Sequence, residues 1–294
     1  MAPSKYNSYS QLGIGIGLRK THHSYILSHR PDIEWFEIIA ENFLSAGGAA
    51  YEVLEEVLRY YQVVMHSVSL YFGSPEMPPQ EHLQELKRLV QRTKTPWLSD
   101  HLCWGSIDGS YSHDLLPMPY TRAVAKFTAE KIKRVRDFLE VPIAVENVSS
   151  YAEFAQSTMT EWEFISEVAE LADCGILLDV NNLFVSSRNH GFDPHVYLNS
   201  IDPLRVVQIH IAGHSDKNRF IIDTHDRAPI EPVWSLYGRA IELCGYTPTL
   251  LEWDAKIPRF EEVYAEAQKA RYWLAMTCAA EEGLSSTVGE EVGV

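Results

Sequence analysis

The sequence predicts a (β/α)8 barrel of the TIM type, and three observations lead to this fold class. Eight short apolar runs are spaced along the chain, as expected of strands that are buried on both faces of a parallel sheet. Amphipathic stretches with helical spacing lie between these runs, which is the pattern of repeated βαβ units. Eight such units in about 250 residues fit a closed barrel better than an open sheet.

The predicted strands are apolar except near their carboxyl ends. They are LGIGIGL (12–18), WFEIIAEN (35–42), VVMHSVSL (63–70), WLSDHLCW (97–104), IAVENVSS (143–150), GILLDVNN (175–182), VVQIHIAG (206–213) and PTLLEWDA (248–255). All except the first carry carboxylates or imidazoles there, namely Glu41, His66, Asp100 with His101, Glu146, Asp179, His210 and Glu252. Barrel active sites lie at this end of the strands, so these side chains should meet in one cavity.

The predicted helices fill the intervals between the strands. They cover residues 50–61, 80–92, 119–139, 160–172, 193–201, 230–244 and 258–276. Thr160 and Glu163 have the spacing of a capping box, and the Asp193-Pro194 pair is typical of a helix start. We interpret residues 1–275 as a single barrel domain and the acidic residues 276–294 as a flexible tail.

A doubly wound open sheet is the alternative architecture. The glycines of the first strand, Gly13, Gly15 and Gly17, lie inside the strand, and no GxGxxG motif opens a helix. The dinucleotide-binding fingerprint is therefore absent. Small residues at every second position also suit the crowded inner face of a barrel strand.

Composition excludes several classes of partner. A formal net charge of −15 over 294 residues argues against binding to nucleic acid or to an anionic membrane surface. No apolar run approaches the roughly 18–20 residues of a membrane span, and the polar N-terminus has no signal-peptide core. Four scattered cysteines, Cys103, Cys174, Cys244 and Cys278, indicate reduced thiols in a cytoplasmic protein.

The candidate metal ligands are nitrogen and oxygen donors. Asp223 and His225 follow the seventh strand, and an Asp-x-His pair in extended chain would point both side chains to one face. The full set is His66, His101, Glu146, Asp179, His210, Asp223, His225 and Glu252. Four carboxylates in one cavity raise each other's pKa values unless cations lie among them. Such a set without thiolates suits iron, manganese or zinc, and eight ligands are enough for two or three ions.

Each of these residues alone also has an ordinary structural explanation. A strand-end histidine is often a hydrogen-bonded core residue, and a strand-end aspartate often caps the next helix. Recurrence at the same end of successive strands favours a shared site. Asp100 and Glu41 are candidates for orienting the ligands. On the rim, His113, Asp114 and His214 are candidates for contact with substrate.

Several motifs identify a resemblance that covers nearly the whole chain. MHSVSL, SDHLCW, SHDLLPMPYT, VENVSS, LLDVNN, QIHIAGH, IDTHD and LLEWD, in this order, resemble the DUF692 family of multinuclear non-haem iron-dependent oxidases. The resemblance implies a TIM-type barrel with two or three iron ions and O2 as co-substrate. It assigns metal roles to the eight candidate ligands, with Glu146 as a bridge and Asn147 and Asn182 as further candidates.

The same resemblance implies a reaction and its partners. Family members modify residues of ribosomally made peptides, so we expect a precursor peptide as substrate, cysteine as the modified residue, and a separate protein that presents the peptide. Two other functions stay open from the residues alone. A di- or trinuclear zinc or manganese barrel could hydrolyse phosphoesters or isomerise sugars, and a metal-binding module could lack catalysis. The bound metal and oxygen consumption would separate the three.

Overall fold

The computed structural model describes residues 4–44 and 47–288, with the backbone alone for His113 and for residues 277–288. Along this described chain the strands are β1 (Ile14–Gly17), β2 (Trp35–Ile39), β3 (Gln62–His66), β4 (Leu98–His101), β5 (Trp104–Ile107), β6 (Ser110–Leu116), β7 (Ile143–Glu146), β8 (Gly175–Asp179), β9 (Val206–Ile211), β10 (His214–Asp216), β11 (Ile221–Asp223) and β12 (Thr249–Leu251). The helices are α1 (His23–His29), α2 (Ala49–Val57), α3 (Gln80–Thr93), α4 (Arg122–Leu139), α5 (Glu161–Ala172), α6 (Val180–His190), α7 (Pro194–Ser200), α8 (Glu231–Cys244) and α9 (Phe260–Val288).

Eight parallel strands close into a barrel, in the order β1-β12-β9-β8-β7-β4-β3-β2. β1 pairs in parallel with both β2 and β12, which closes the sheet on itself. The predicted (β/α)8 barrel is therefore confirmed, and the open-sheet alternative is wrong. The strands are shorter than the apolar runs, because the last residues of each run form the turns and helix starts at the barrel mouth.

Local sequence signals mark several helix starts. The Thr160 N–H donates to Glu163 Oε2 at 2.8 Å, so the predicted capping box opens α5. Asp193 caps α7, with Pro194 in its first turn. Two helices were not predicted, α1 and α6, and α6 begins directly after β8. The division into a domain of residues 1–275 and a tail of residues 276–294 stays a prediction. The helical backbone of α9 runs to Val288, and residues 289–294 lie outside the described chain.

An apolar layer closes the inside of the barrel. It consists of Trp35, Val64, Trp97, Ala144, Leu177, Val207 and Leu250, each fully buried. Gly15 makes room for this layer, because a Cβ atom there would lie 2.4 Å from the Trp35 indole. The Trp35 indole N–H donates to the Gly13 carbonyl at 3.1 Å. The polar groups inside the barrel therefore lie on the mouth side of this apolar layer.

Two antiparallel hairpins follow barrel strands at the mouth. β5 and β6 pair after β4, and β10 and β11 pair after β9. Neither hairpin was predicted from the sequence.

Among the helices of the described chain, none has the length and apolar character needed to cross a bilayer.

A buried lysine fixes the segment that follows β3. Lys131 of α4 donates to the carbonyls of Tyr71, Ser74 and Glu76 at 2.8, 3.1 and 2.6 Å. Burial lowers the pKa of Lys131 to about 8. Because hydrogen bonds to a charged donor are strong, Lys131 holds Tyr71 at the mouth of the barrel.

Candidate metal centre

The first group of candidate ligands consists of His66, His101 and Glu146, the last residues of β3, β4 and β7. Glu146 Oε2 lies 3.5 Å from His66 Nε2 and 3.3 Å from His101 Nε2. All three side chains are buried. The neighbouring strand ends of a parallel barrel bring them together.

The second group consists of Glu146, Asp179, His210 and Glu252. Asp179 ends β8, His210 lies near the end of β9, and Glu252 directly follows β12. His210 Nδ1 lies 3.5 Å from Glu146 Oε1 and 3.2 Å from Glu252 Oε2. Four buried donors thus face one another inside the barrel.

The third group consists of His225, Glu252 and Asp254, with Asp223 beside it. His225 Nδ1 lies 3.3 Å from Glu252 Oε2 and 3.2 Å from Asp254 Oδ2. His225 Nε2 lies 2.6 Å from Asp223 Oδ1. The expectation of an extended Asp-x-His pair is wrong, since His225 has a φ of +44°. This left-handed backbone, which few residues other than glycine adopt, places the imidazole between Asp223 on one side and Glu252 with Asp254 on the other.

Two carboxylates are shared between the groups. Glu146 belongs to the first and second groups and turns a different oxygen to each, while Glu252 belongs to the second and third. The three groups therefore form one continuous chain of donors. This geometry can hold two or three ions with bridging carboxylates. Asp254 was not among the residues predicted from the sequence.

Several buried polar atoms in these groups lack a hydrogen-bond partner within the described chain. They include Glu146 Oε2, Asp179 Oδ2 and His210 Nδ1, and Asn182 Oδ1 beside the groups is likewise without a partner. An unsatisfied buried polar atom costs roughly 1–3 kcal/mol, and more when it is charged. Cations between the groups would satisfy these atoms and neutralise the carboxylates. The donor set present in the barrel therefore fits a multi-metal site.

Burial and neighbouring charges raise the pKa values of some candidate ligands and lower those of others. Burial raises the pKa of Asp179 well above its usual range and lowers the pKa of His66 well below it. For His101, burial lowers the pKa, but the carboxylates of Glu146, Asp100 and Glu252 together outweigh burial and raise the pKa to about 9. The charge of each group thus depends on its neighbours, as expected of a crowded functional cavity.

Buried polar side chains contact the histidine rings of the first group. His66 Nδ1 lies 2.9 Å from Ser99 Oγ, and Asp100 Oδ1 lies 3.4 Å from His101 Nδ1. Glu41 instead accepts hydrogen bonds from the Ser67 and Ser69 hydroxyls and from the Val68 amide. Asp100 therefore contacts the ring of a candidate ligand directly, whereas Glu41 fixes the turn that follows His66.

A buried network under the second group was missed from the sequence. Glu37 Oε2 lies 3.2 Å from His210 Nε2 and accepts a 2.6 Å hydrogen bond from Gln208 Nε2. The Trp97 indole N–H donates to Gln208 Oε1 at 2.8 Å. The signal that could have found Glu37 is a charged residue in the middle of an otherwise apolar strand.

Asparagines link β7 and β8 beside the cavity. Asn147 Oδ1 accepts from the Asp179 N–H at 2.9 Å, and Asn147 Nδ2 donates to the Asp179 carbonyl at 2.9 Å. Asn182 Nδ2 donates to the Asn147 carbonyl at 3.1 Å. The side chain of Asp179 in turn caps α6 by accepting from the Asn182 N–H at 2.6 Å. Asn147 therefore has a structural role, while Asn182 also lines the cavity.

Of the three rim candidates, Asp114 is found in the wall of the cavity. This cavity of about 400 Å³ is lined by the candidate ligands His66, His101, Asp223, His225, Glu252 and Asp254 together with Ile39, Val68, Tyr71, Asp114, Leu115, Asn182 and Thr224. His214 is buried, and its Nδ1 lies 2.8 Å from Asn181 Oδ1, whose amide donates to Asp223 Oδ1 at 2.7 Å. The His113 side chain lies outside the described residues.

The chain matches a family model and several relatives. The model, described as RiPP precursor modification enzyme MbnB/TglH/ChrH, matches residues 13–275. A UPF0276 protein of Anaeromyxobacter sp. (strain Fw109-5) is 47% identical over 88% of this chain and 92% of its own. A UPF0276 protein of Acaryochloris marina is 42% identical over 89% of this chain and 95% of its own.

Solved structures show likeness of fold. D-psicose 3-epimerase from Clostridium cellulolyticum superimposes with a TM-score of 0.59 and 13% identity, over 90% of this chain and 99% of its own. Endonuclease IV from Thermus thermophilus gives a TM-score of 0.57 and 13% identity, over 91% and 100% of the two chains. At these identities the likeness extends to the barrel and not to chemistry.

Proposed function

This chain belongs to the MbnB/TglH/ChrH family of RiPP precursor modification enzymes, and from that premise we propose a specific activity. The protein is a multinuclear iron-dependent oxidase that uses O2 to modify a residue, with cysteine as the expected target, of a ribosomally synthesised peptide. The observation that carries the proposal is the set of three donor groups joined by Glu146 and Glu252. Five members of these groups line an open cavity, namely His66, His101, His225, Glu252 and Asp254.

Two or three iron ions would be held by His66, His101, Glu146, Asp179, His210, Asp223, His225 and Glu252, with Asp254 as an added candidate. When bound there, iron supplies one-electron chemistry with O2, which side chains alone cannot perform. Donors of the imidazole and carboxylate type suit iron. The cavity mouth leaves room for a substrate, which a storage site does not require.

The protein's own groups bind and orient the substrate. Ile39, Val68 and Leu115 give the cavity an apolar wall that excludes water around the modified residue. Asp114, exposed on the rim, can accept a hydrogen bond from an entering thiol or peptide N–H. His214 acts through Asn181 on Asp223, so we assign it a positioning role. His113 is proposed to contact substrate from the same hairpin strand as Asp114.

We further propose a separate protein that presents the precursor peptide, and a cytoplasmic location. Cys103, Cys174 and Cys244 are free and buried, which supports a reducing compartment. Burial raises the pKa of Cys174 to about 12, so this thiol is inert. A peptide whose cysteine must stay reduced until it is modified fits the same compartment.

The activity is tested by mass spectrometry of the peptide. Protein loaded anaerobically with Fe(II) is mixed with the precursor encoded beside its gene and with the neighbouring partner protein, with and without O2. We expect the mass of the cysteine-bearing segment to change only when O2 is present. A precursor with that cysteine replaced by serine should show no change of mass. An unchanged mass for every cysteine-bearing candidate, together with turnover of a phosphoester or sugar by the zinc or manganese form, would favour the alternative enzyme class.

A further inference from the structure

A second cavity lies at the barrel mouth, outside the candidate metal centre. It measures about 420 Å³ and is lined by Tyr151, Asn189, Phe220 and Ile222. Tyr151 belongs to the segment after β7, and Phe220 and Ile222 belong to the β10–β11 hairpin. Tyr151 and Phe220 are each 50% exposed. Two large rings thus face solvent beside a concave surface.

The second cavity adjoins the candidate metal centre. The Tyr151 hydroxyl accepts a 2.9 Å hydrogen bond from the Asp223 N–H, and Ile222 directly precedes Asp223. Asp223 in turn lies 2.6 Å from the ring of His225. The second cavity is therefore one residue away from a candidate metal ligand. A single peptide could place one residue in the candidate metal centre and a neighbouring residue in the second cavity.

The polar groups of the second cavity already form hydrogen bonds within the protein. Asn189 Oδ1 accepts from the Ile221 N–H at 2.9 Å, and Asn189 Nδ2 donates to the Ile221 and Ser150 carbonyls at 3.0 and 3.2 Å. Together with Tyr151, Asn189 covers the outer edge of β11. This edge cannot pair with a strand of the ligand. The surface that stays available is apolar, so the cavity suits an apolar side chain.

Two cations lie on the turn beside this cavity. Lys217 and Arg219 precede Phe220 in the turn between β10 and β11, and neither forms an ion pair with any described residue. In a chain of net charge −15, unpaired cations at this point favour an acidic group on the ligand. Charge complementarity therefore points to an acidic residue next to the apolar one.

More exposed apolar side chains follow the same half of the mouth. Ile107 and Tyr111 of the β5–β6 hairpin and Phe154 after β7 are 50%, 48% and 36% exposed. With Phe220 they follow the barrel strands β4, β7 and β9, which lie on the β8 side of the barrel. Apolar side chains spread over three strand ends suit an extended peptide better than a small molecule.

We propose that the cavity of Tyr151, Asn189, Phe220 and Ile222 is a specificity subsite. It binds an apolar side chain of the substrate peptide, with an adjacent acidic residue of that peptide held by Lys217 and Arg219. This inference rests on the proposed function and adds which residues around the modified position are recognised.

The probe is a peptide library in which each member carries one cysteine flanked on both sides by randomised residues. Library members captured anaerobically by the immobilised, Fe(II)-loaded full chain are sequenced. We expect an apolar residue and an acidic neighbour to be enriched at a fixed distance from the cysteine. Phe220→Ser should abolish the apolar enrichment and weaken binding of the best peptide about tenfold, the size of effect typical of an apolar contact in a pocket.

Two further variants sharpen this test. Lys217→Glu combined with Arg219→Glu should replace the acidic preference by a basic one. Phe127→Ser is the matched control, because Phe127 is 45% exposed on α4 and lines neither cavity. Its selection should equal that of the wild type. Equal iron content in all variants shows that each is folded around the metal centre.

Unchanged enrichment in Phe220→Ser, or no peptide captured by the wild type, would overturn the subsite. Capture does not require oxidation, so the two proposals fail separately. A precursor that is oxidised equally well by the wild type and Phe220→Ser rejects the subsite and leaves the oxidase standing. Peptides selected through Phe220 but never changed in mass reject the oxidase and leave the subsite.

Discussion

Glu146→Gln should remove metal from two of the three donor groups and abolish turnover. Glu146 turns Oε2 to His66 and His101 and Oε1 to His210, so one neutral amide replaces an anion shared by both groups. Loss of a group that merely orients a ligand typically costs about 10–100-fold, and loss of a shared ligand should exceed that. The measurement is anaerobic Fe(II) titration, followed by the rate of peptide modification.

Glu130→Gln is the matched control for this variant. Glu130 undergoes the same chemical change on the exposed face of α4, where its partner is Lys133. Its iron stoichiometry and rate should equal those of the wild type. Full iron content and full turnover in Glu146→Gln would reject the bridging role.

Gly213→Ala should lose the third donor group while the barrel stays closed. A Cβ atom at Gly213 would lie 2.1 Å from the Arg227 carbonyl oxygen and 2.8 Å from that of Ala228, and backbone cannot move aside as a side chain can. The Gly213 carbonyl also accepts from the His225 N–H at 2.9 Å. Separation of these segments displaces His225 and Asp223 from Glu252. We expect one fewer iron per chain, and an unfolding free energy lower by about 1–3 kcal/mol, as is typical of overpacking.

Gly238→Ala is the control variant, because it introduces a steric clash away from the candidate metal centre. Its Cβ atom would meet the Trp273 ring at 2.8 Å, between α8 and α9 and away from the mouth. This variant should lose stability without losing iron. If Gly213→Ala binds as much iron as Gly238→Ala, the turn at Gly213 does not position the third group.

The strand-end pattern was enough to predict that six of the eight candidate ligands lie at one rim, while Asp223 and His225 came from the segment after the seventh predicted strand. Closure of a parallel barrel brings the carboxyl ends of all its strands to one rim, so His66, Glu146 and His210 needed no further information. Their roles as metal ligands stay a proposal. The order of helical and apolar segments was likewise enough for the fold, because each βαβ unit repeats the same local pattern.

Residues whose positions depend on distant contacts were not predictable. Asp254 reaches the third group through a turn in which its N–H donates to the His225 carbonyl at 2.8 Å, a contact between segments far apart in sequence. Glu37 is visible in the sequence as a charge within an apolar strand, but its partner is not, because only the closed barrel brings Glu37 of β2 to His210 of β9.

The two hairpins differ in how visible they were in the sequence. β5 and β6 are joined by Asp108-Gly109, whose φ values of +49° and +74° suit the tight turn that this dipeptide favours. The Asp-Gly signal is present in the sequence, but polar residues interrupt both flanking strands, so the apolar alternation of a hairpin is absent. The β10–β11 turn over residues 217–220 has no such dipeptide. The start of α6 does have a local signal, since Asp179 is its N-cap, but α6 follows β8 without a linker.

Iron counted in the active protein tests the central claim most directly. Protein purified anaerobically from iron-supplemented cells should contain two or three iron ions per chain by elemental analysis, and the rate of O2-dependent peptide modification should rise in proportion to iron content. Stoichiometric zinc in fully active protein, with no gain on adding iron, would contradict it. Zinc in an inactive preparation would not, since zinc competes well for nitrogen and oxygen donors.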